Sequence, residues 1–304
     1  MTMTRLGILG TGAFLPENVR YNDAWPAEVV ANWKRGPQWT SEEIPRPADV
    51  DPEDFARVMQ AIAESAADPF MGSRKRHVMP EGMEGVDMEV EAAKLALKSA
   101  GVSAAELDFI LSYAFVPDHI GSPSVHLVHA RLGAKADCFC LSVDAACNSF
   151  QMQLALAESL VQSGRYRRGL LIQSSAVSRL LDYEQAMSIH FGDGASAVVV
   201  GEVGADDGLL SLVHRSDGSR HATLTLGVAG SSWWNEGRAG ICVADRQKVR
   251  DAWFGLVGVC RSMMEKCLRQ TGLQARDVSF FATHQGVSWI QPLLKSACSF
   301  EGAK

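Results

Sequence analysis

Two residues have both the chemistry and the surroundings of reactive groups. Cys147 stands in "CFCLSVDAACNSFQMQLALAESLVQSG" (138–164), where an apolar strand pattern runs directly into a long apolar helix pattern. At a helix start, free N–H groups and the positive end of the dipole favour negative charge on a sulfur. Hydrolases hold a nucleophilic serine on the same kind of sharp strand-to-helix turn. The competing reading is a buried structural cysteine. His284 directly follows "VSFFAT", read here as a strand, and so stands at a carboxyl end where open α/β sheets place ligands. Its competing reading is a hydrogen-bonded core histidine.

Other candidates carry less. Cys138, Cys140, Cys242, Cys260, Cys267 and Cys298 sit in apolar runs and read as small buried hydrophobes. The odd count of seven, without a Cys-x-x-Cys pair, indicates reduced thiols and a cytoplasmic location. His126 and His129 are three apart on a helix pattern, with no ligands spaced to complete a metal site, and read as a solvated face. "GTGAFLP" lacks the third glycine of a dinucleotide fingerprint and reads as a turn. Trp233 and Trp234 in "SSWWNEG" are read equally as tunnel lining, core packing or a lid. The basic "RYRRG" (165–169) either greets an acidic partner or satisfies a helix dipole.

The elements that must position these residues form an alternating pattern. Short apolar runs ("RLGILG", "LDFILSYA", "CFCLSV", "GLLIQSS", "AVVVGEV") read as strands, separated by helices such as 86–99 and 150–162. That order predicts a mostly parallel sheet covered on both faces. The helix after Cys147 is apolar nearly all round, so burial in the middle of a domain is expected. "GDG" at 192–194 reads as a tight turn requiring positive φ. Residues 20–72, rich in Pro and charge, read as an excursion with a helix or two. The net charge of −6 across 304 residues and the scattered Lys and Arg give no sign of nucleic-acid binding. No apolar run reaches membrane-spanning length, and no secretory leader is recognisable.

An internal repeat organises the rest. "AKLALKSAGVSAAELDFILSYA" (93–114) aligns without a gap to "MEKCLRQTGLQARDVSFFATHQ" (264–285), an offset of 171 residues (272 − 101). Two duplicated halves follow: residues 1–205, carrying the Cys147 elbow and the insertion at about 20–72, and residues 206–304. Counterparts of 134–203 fall beyond 304, so the second half is expected to be incomplete, whether truncated or reduced.

Taken in order, "GILGTGAFLPENV", "EAAKLALKSAGVSAAELDFILSYA", "SVDAACNSF", "AESLVQSGRYRRGLLIQSS", "FGDGASAVVV" and "FFATHQ" resemble β-ketoacyl-acyl carrier protein synthase III. The resemblance spans most of residues 5–295. It implies a thiolase-like α/β fold of five αβαβα layers built from two halves, here with an incomplete second half, and a homodimer. It implies Cys147 as the acylated nucleophile and His284 as the group binding the carbonyl of a malonyl extender. Acyl-coenzyme A or acyl-carrier protein would be the substrates, with no permanently bound cofactor and no metal. Four features depart from the pattern. The family's Asn is expected further beyond the His than the twenty residues present after His284, and 285–304 hold no Asn or Asp. The Gly-rich C-terminal loop supplying a second oxyanion donor is not seen. "HQGV" stands for the family's His-Gln-Ala-Asn, and Ala66 and Phe70 align with the Trp and Arg that grip coenzyme A. These departures point to specialised rather than housekeeping fatty-acid or polyketide metabolism. They leave open two alternatives: acyl transfer to an alcohol or amine with His284 as general base, and an impaired partner subunit of a ketosynthase heterodimer.

Overall fold

Strand propensity and burial produce nine strands among the described residues of the computed structural model, which are 5–33, 44–221, 223–243 and 245–304. They are β1 (Arg5–Phe14), β2 (Val19–Tyr21), β3 (Lys75–His77), β4 (Phe109–Phe115), β5 (Phe139–Ser142), β6 (Arg168–Ser175), β7 (Gly194–Val203), β8 (Thr225–Val228) and β9 (Ala239–Cys242). The α-helices are α1 (Ala27–Asn32), α2 (Pro52–Ser65), α3 (Gly85–Ala100), α4 (Val125–Leu132), α5 (Ser149–Gln162), α6 (Arg246–Thr271) and α7 (Ile290–Ala297). Contacts group the chain into two units. One holds Met1–Tyr21, Lys75–Arg179 and Phe191–Leu210; the other holds Asn22–Arg74, Leu180–His190 and Ser211–Lys304.

The first unit is built on a five-stranded sheet of order β1-β7-β6-β4-β5. Only β5, β4 and β6 run parallel; β7 is antiparallel to both β6 and β1. This corrects the mostly parallel sheet expected from the apolar runs. A strand buried on both faces reads as continuously apolar whichever way it points, so direction is not legible in composition. The "GTG" of β1 also corrects its sequence reading as a turn. A Cβ on Gly10 would lie 2.4 Å from the Ala100 backbone nitrogen, and one on Gly12 would lie 2.3 Å from the Ala92 carbonyl. The glycines let α3 lie close on the strand.

Side chains alternate across the sheet. Ile110, Leu170, Ile172 and Val199 join Val86, Met88 and Ala93 of α3 in one core, with Val125 and Val128 of α4. Phe109, Leu111, Leu171 and Val200 face the other way, onto Ala157 and Val161 of α5. Full burial of a Leu, Ile or Phe side chain contributes about 1.5–3 kcal/mol, so the two faces hold the sheet between layers. Helix α5 buries one stripe, Ser149, Gln153, Ala157 and Val161, while Leu154, Leu156 and Leu160 are half-buried. That is narrower than the all-round burial its composition predicts.

Helix α3 is capped at both ends. The Asp118 carboxylate accepts the Gly85 and Val86 N–H groups at 2.8 and 3.0 Å, and Gly101 closes the helix in the left-handed region. One turn in, Glu89 is fully buried; its Oε1 accepts from Ser174 Oγ at 2.6 Å and its Oε2 has no partner among the described residues. Gly192 and Gly194 are not in the positive-φ region, which corrects the tight turn expected at "GDG". Instead Gly192 sits under the His77 carbonyl, where a Cβ would approach to 3.0 Å. The buried Asp193 accepts from Met79 N–H at 2.7 Å and Ser178 N–H at 2.9 Å.

In the second unit, α2 packs on α6 and α7 through Phe55, Val58, Met59, Phe254, Val257, Ile290 and Leu294. Asp51 caps α2 with Pro52 at its first turn, and the buried Asp54 pairs with Arg261. Trp25, Trp33 and Phe70 pack edge to face with centroids 5.6–6.5 Å apart. The excursion read in 20–72 thus contains two helices, its residues 34–43 lying outside the described ones. Strands β8 and β9 form an antiparallel pair.

The repeat recurs as local structure. Helices α3 and α6 end at Gly101 (φ 65°) and Gly272 (φ 71°), each followed by a 3-10 turn with a reciprocal cap, Ser103/Glu106 and Gln274/Asp277. The copies then diverge. Residues 109–115 form β4, whereas 278–283 have no strand assignment. There Phe281 N–H donates to the Lys304 carbonyl at 3.1 Å and Lys304 N–H donates to the Ser279 carbonyl at 2.9 Å.

Candidate active site

Strand β5 ends at Ser142, and the chain reaches α5 through a single 3-10 turn, Ala146–Asn148. Cys147 therefore lies in the turn just before the α-helix, rather than at its first residue. The turn is shaped by short side chains. Asp144 Oδ1 accepts the Ala146 N–H at 3.0 Å, and Ser149 Oγ accepts the Ala145 N–H at 2.9 Å. Ser149 also donates to the Ala146 carbonyl at 2.7 Å. Between them Ala146 is held at φ 49°, a region costly for a residue with a Cβ. The result is an elbow that presents Cys147 outward.

All seven cysteines are free, and Cys147 alone is exposed. Cys138 and Cys298 are buried; Cys140, Cys242, Cys260 and Cys267 are half-buried, more open than the buried hydrophobes expected. Burial pushes the Cys138 thiol up to about 12 and Cys298 to about 11, which suppresses the reactive thiolate form at both. Exposure and backbone geometry thus distinguish Cys147 from the other six.

His284 belongs to the second unit, in the irregular segment after Phe281. Its surface is exposed, yet enough protein surrounds the ring that desolvation holds the imidazole below the ordinary histidine value. Gly286 makes room for it: a Cβ there would come within 2.9 Å of His284 Nε2. The residues after it, Gln285 to Ser288 and Gln291, line a cavity of about 180 Å³ with Gly72, Ser73 and His190. Cys147 and His284 lie in different units, and each is described within its own.

A family model for 3-oxoacyl-[acyl-carrier-protein (ACP)] synthase III matches residues 141–218, which take in the elbow, β6 and β7. The β-ketoacyl-[acyl-carrier-protein] synthase III of Rhodospirillum centenum is 30% identical over 283 residues, covering 91% of this chain and 76% of the relative. The chain belongs to the 3-oxoacyl-[acyl-carrier-protein] synthase III family. The Bordetella petrii synthase III is 34% identical over 231 residues, 75% of this chain but 61% of that relative. The chain thus spans less than two thirds of the Bordetella protein. Among solved structures, 3-oxoacyl-[acyl-carrier-protein] synthase III from Aquifex aeolicus VF5 superposes with a TM-score of 0.71 at 25% identity, covering 98% of this chain and 81% of that one. The priming β-ketosynthase of the R1128 polyketide pathway shares the fold, with a TM-score of 0.73 at 24% identity over 98% of this chain and 80% of that one. The architecture is therefore the thiolase-like α/β fold of the synthase III family.

The remaining sequence candidates are placed as follows. His126 and His129 lie on α4, with His129 Nε2 within 3.0 Å of the Lys135 carbonyl. No group of three or more metal-ligating side chains is gathered among the described residues. Trp233 and Trp234 are exposed after β8, packed edge to face on each other at 5.7 Å. In "RYRRG", Arg168 pairs with Glu106 at 2.6 Å. No described helix is long and apolar enough to cross a membrane.

Sequence reasoning missed Tyr113. It stands on β4 near the elbow, and burial together with the charges of Asp144 and Cys147 pushes its phenol above the usual tyrosine range. The alternation of "FILSYAF" signals which face it takes, but not that the neighbouring strand ends in the elbow.

Proposed function

We propose that this chain is an acyl-thioester transferase that loads an acyl group onto Cys147 and condenses it with a malonyl-type extender. The observation that carries the reading is the exposed thiol on a positive-φ elbow inside the segment that the synthase III family model matches. The Cys147 thiolate attacks the thioester carbonyl, with its own N–H donating to the oxyanion, and expels the carrier thiol. His284 acts next. With its pKa lowered by desolvation the ring is neutral at pH 7, so it offers an N–H to the extender's carbonyl without carrying a charge. Decarboxylation releases carbon dioxide and leaves an enolate, whose carbon attacks the acyl thioester. The Cys147 thiolate departs, and the β-ketoacyl product remains on the extender's carrier.

The substrates in this reading are thioesters of coenzyme A or acyl carrier protein, with no permanently bound cofactor. The protein acts in the cytoplasm as a homodimer, in fatty-acid or specialised polyketide metabolism. Its halves in this reading are residues 1–205, with the insertion at about 20–72, and residues 206–304; contacts instead group 22–74 and 180–190 with 211–304.

The test is to incubate the protein with acyl-coenzyme A and acyl-carrier donors and to locate the label by peptide mass spectrometry. Acyl on Cys147, followed by malonyl-dependent carbon dioxide release, is expected. Acylation without carbon dioxide release assigns simple transfer to an alcohol or amine instead. A folded protein that no donor acylates overturns both and leaves the impaired-subunit reading.

A further inference from the structure

The carboxyl end of β4 carries a polar patch that the mechanism above does not use. Val143 N–H donates to the Ser112 carbonyl at 2.8 Å, so Tyr113 lies one strand over from the segment that enters the elbow. On its other side Tyr113 is directly opposite Gln173 of β6. Both occupy the positions that face α5, in line with Phe109, Leu111 and Leu171. The face is apolar up to that point and turns polar beside Cys147.

The polar groups there are oriented and incomplete. Gln173 Nε2 donates to Gln153 Oε1 at 2.6 Å, and Gln153, fully buried on α5, donates Nε2 to the Ile172 carbonyl at 3.3 Å. This chain of bonds fixes the Gln173 amide and leaves its Oε1 as an acceptor without a partner among the described residues. The half-buried Tyr113 has no hydroxyl hydrogen bond among the described residues, and its hydroxyl is not among the sealed unpaired atoms. Burial and the nearby Asp144 and Cys147 disfavour the phenolate, so the hydroxyl is a donor at neutral pH. One donor and one acceptor on adjacent residues complement a single hydroxyl group, which accepts from the first and donates to the second.

We infer that Tyr113 and Gln173 form a hydroxyl-recognising wall beside Cys147, so that the preferred acyl group carries a hydroxyl close to its thioester rather than a plain alkyl chain. This rests on the proposed acylation of Cys147 and adds a substrate class to it. A plain alkyl chain against the wall displaces water from both groups and replaces none of its hydrogen bonds, and sites built to bond a hydroxyl discriminate strongly against analogues that lack it.

The test compares the loading rates of 3-hydroxybutanoyl- and butanoyl-coenzyme A by intact-protein mass spectrometry, with iodoacetamide alkylation of Cys147 as a control for thiol access. The wild-type protein is expected to load the hydroxyacyl group faster by roughly 10-fold or more. Tyr113→Phe and Gln173→Leu, checked for folding by circular dichroism, are each expected to bring that ratio towards one by slowing the hydroxyacyl group alone. Equal wild-type rates overturn the inference, and need no variant to do so. An equal slowing of both acyl groups in Tyr113→Phe also overturns it, placing the phenol against the shared pantetheine arm or the elbow. If neither thioester loads while iodoacetamide still modifies Cys147, the proposed function fails and this inference falls with it.

Discussion

Asp144 and Ala146 are joined by the bond that makes the elbow: Asp144 Oδ1 accepts the Ala146 N–H at 3.0 Å while Ala146 sits at φ 49°. A residue with a Cβ carries a strain of about 1 kcal/mol there, which glycine lacks. Ala146→Gly is expected to leave stability within about 1 kcal/mol of wild type, relieved strain being offset by a more flexible unfolded chain. Ala146→Val, β-branched, is expected to destabilise by about 2 kcal/mol or more and to slow iodoacetamide alkylation of Cys147. Urea unfolding and alkylation kinetics read the two effects separately. An Ala146→Val protein with unchanged alkylation would show that the elbow's shape does not govern access to the thiol.

His284 is expected to titrate below the free-histidine value because desolvation penalises its charged form. Activity that depends on its neutral ring should persist as pH falls below 6.5 and decline only through the lower folded-state value. The linked stability has the matching sign. The unfolded chain takes up the proton first, so His284's contribution to folding is lost as pH drops from about 6.5 through the folded-state value. Gly286→Ala places a Cβ against the ring and is expected to move the imidazole, lowering malonyl decarboxylation roughly 10-fold with acylation of Cys147 intact. NMR titration of the His284 ring in both proteins checks the shift and the displacement together.

Glu89 predicts a second pH dependence, of folding. Burial raises its carboxyl to about 7, the Ser174 hydrogen bond and the nearby Ser124 hydroxyl offset part of this, and the Asp118 carboxylate adds to the rise. Asp118 is itself held charged by the Gly85 and Val86 N–H groups and by Arg179 at 2.7 Å. Glu89 is therefore neutral in the folded protein at pH 5, and the folded state binds the proton more tightly than the unfolded one. Its stabilisation is complete below about 4.5 and is lost as pH rises through about 7. The loss is on the order of 3 kcal/mol by pH 8. Glu89→Gln should remove this slope from urea midpoints measured between pH 5 and 8.

Asp193 ties the segment entering β7 to two others through its bonds to Met79 and Ser178. Asp193→Ala leaves both N–H groups without their acceptor in a buried site, and a loss of about 2–4 kcal/mol is expected. Asp193→Asn, which keeps one acceptor oxygen, should lose less. Thermal unfolding of the pair reads the difference.

Much of the local structure was legible because local chemistry causes it. Gly101 and Gly272 end their helices as any left-handed cap does, and the Ser103/Glu106 and Gln274/Asp277 caps follow from residues three apart. The turn at Cys147 was visible as a strand pattern abutting a helix pattern. The stretch "VSFFAT" was not: its apolar residues read as a strand, but beyond the turn bond of Val278 to Ala275 its described backbone bonds are to Lys304. A strand needs a neighbour to pair with, and no periodicity supplies one.

The amino-acid order by itself determined where α3 and α6 stop, which cysteine stands at a turn, and which family the motifs resemble. Tertiary structure alone decided that β7 runs against β6, that the glycines of β1 admit α3, and that Tyr113 meets Gln173. The division has one physical cause. Caps and periodicities act over a few neighbouring residues, whereas strand direction, close approach and cross-strand polar pairs depend on segments well separated in the chain, whose register is set only when the whole sheet closes on its helices.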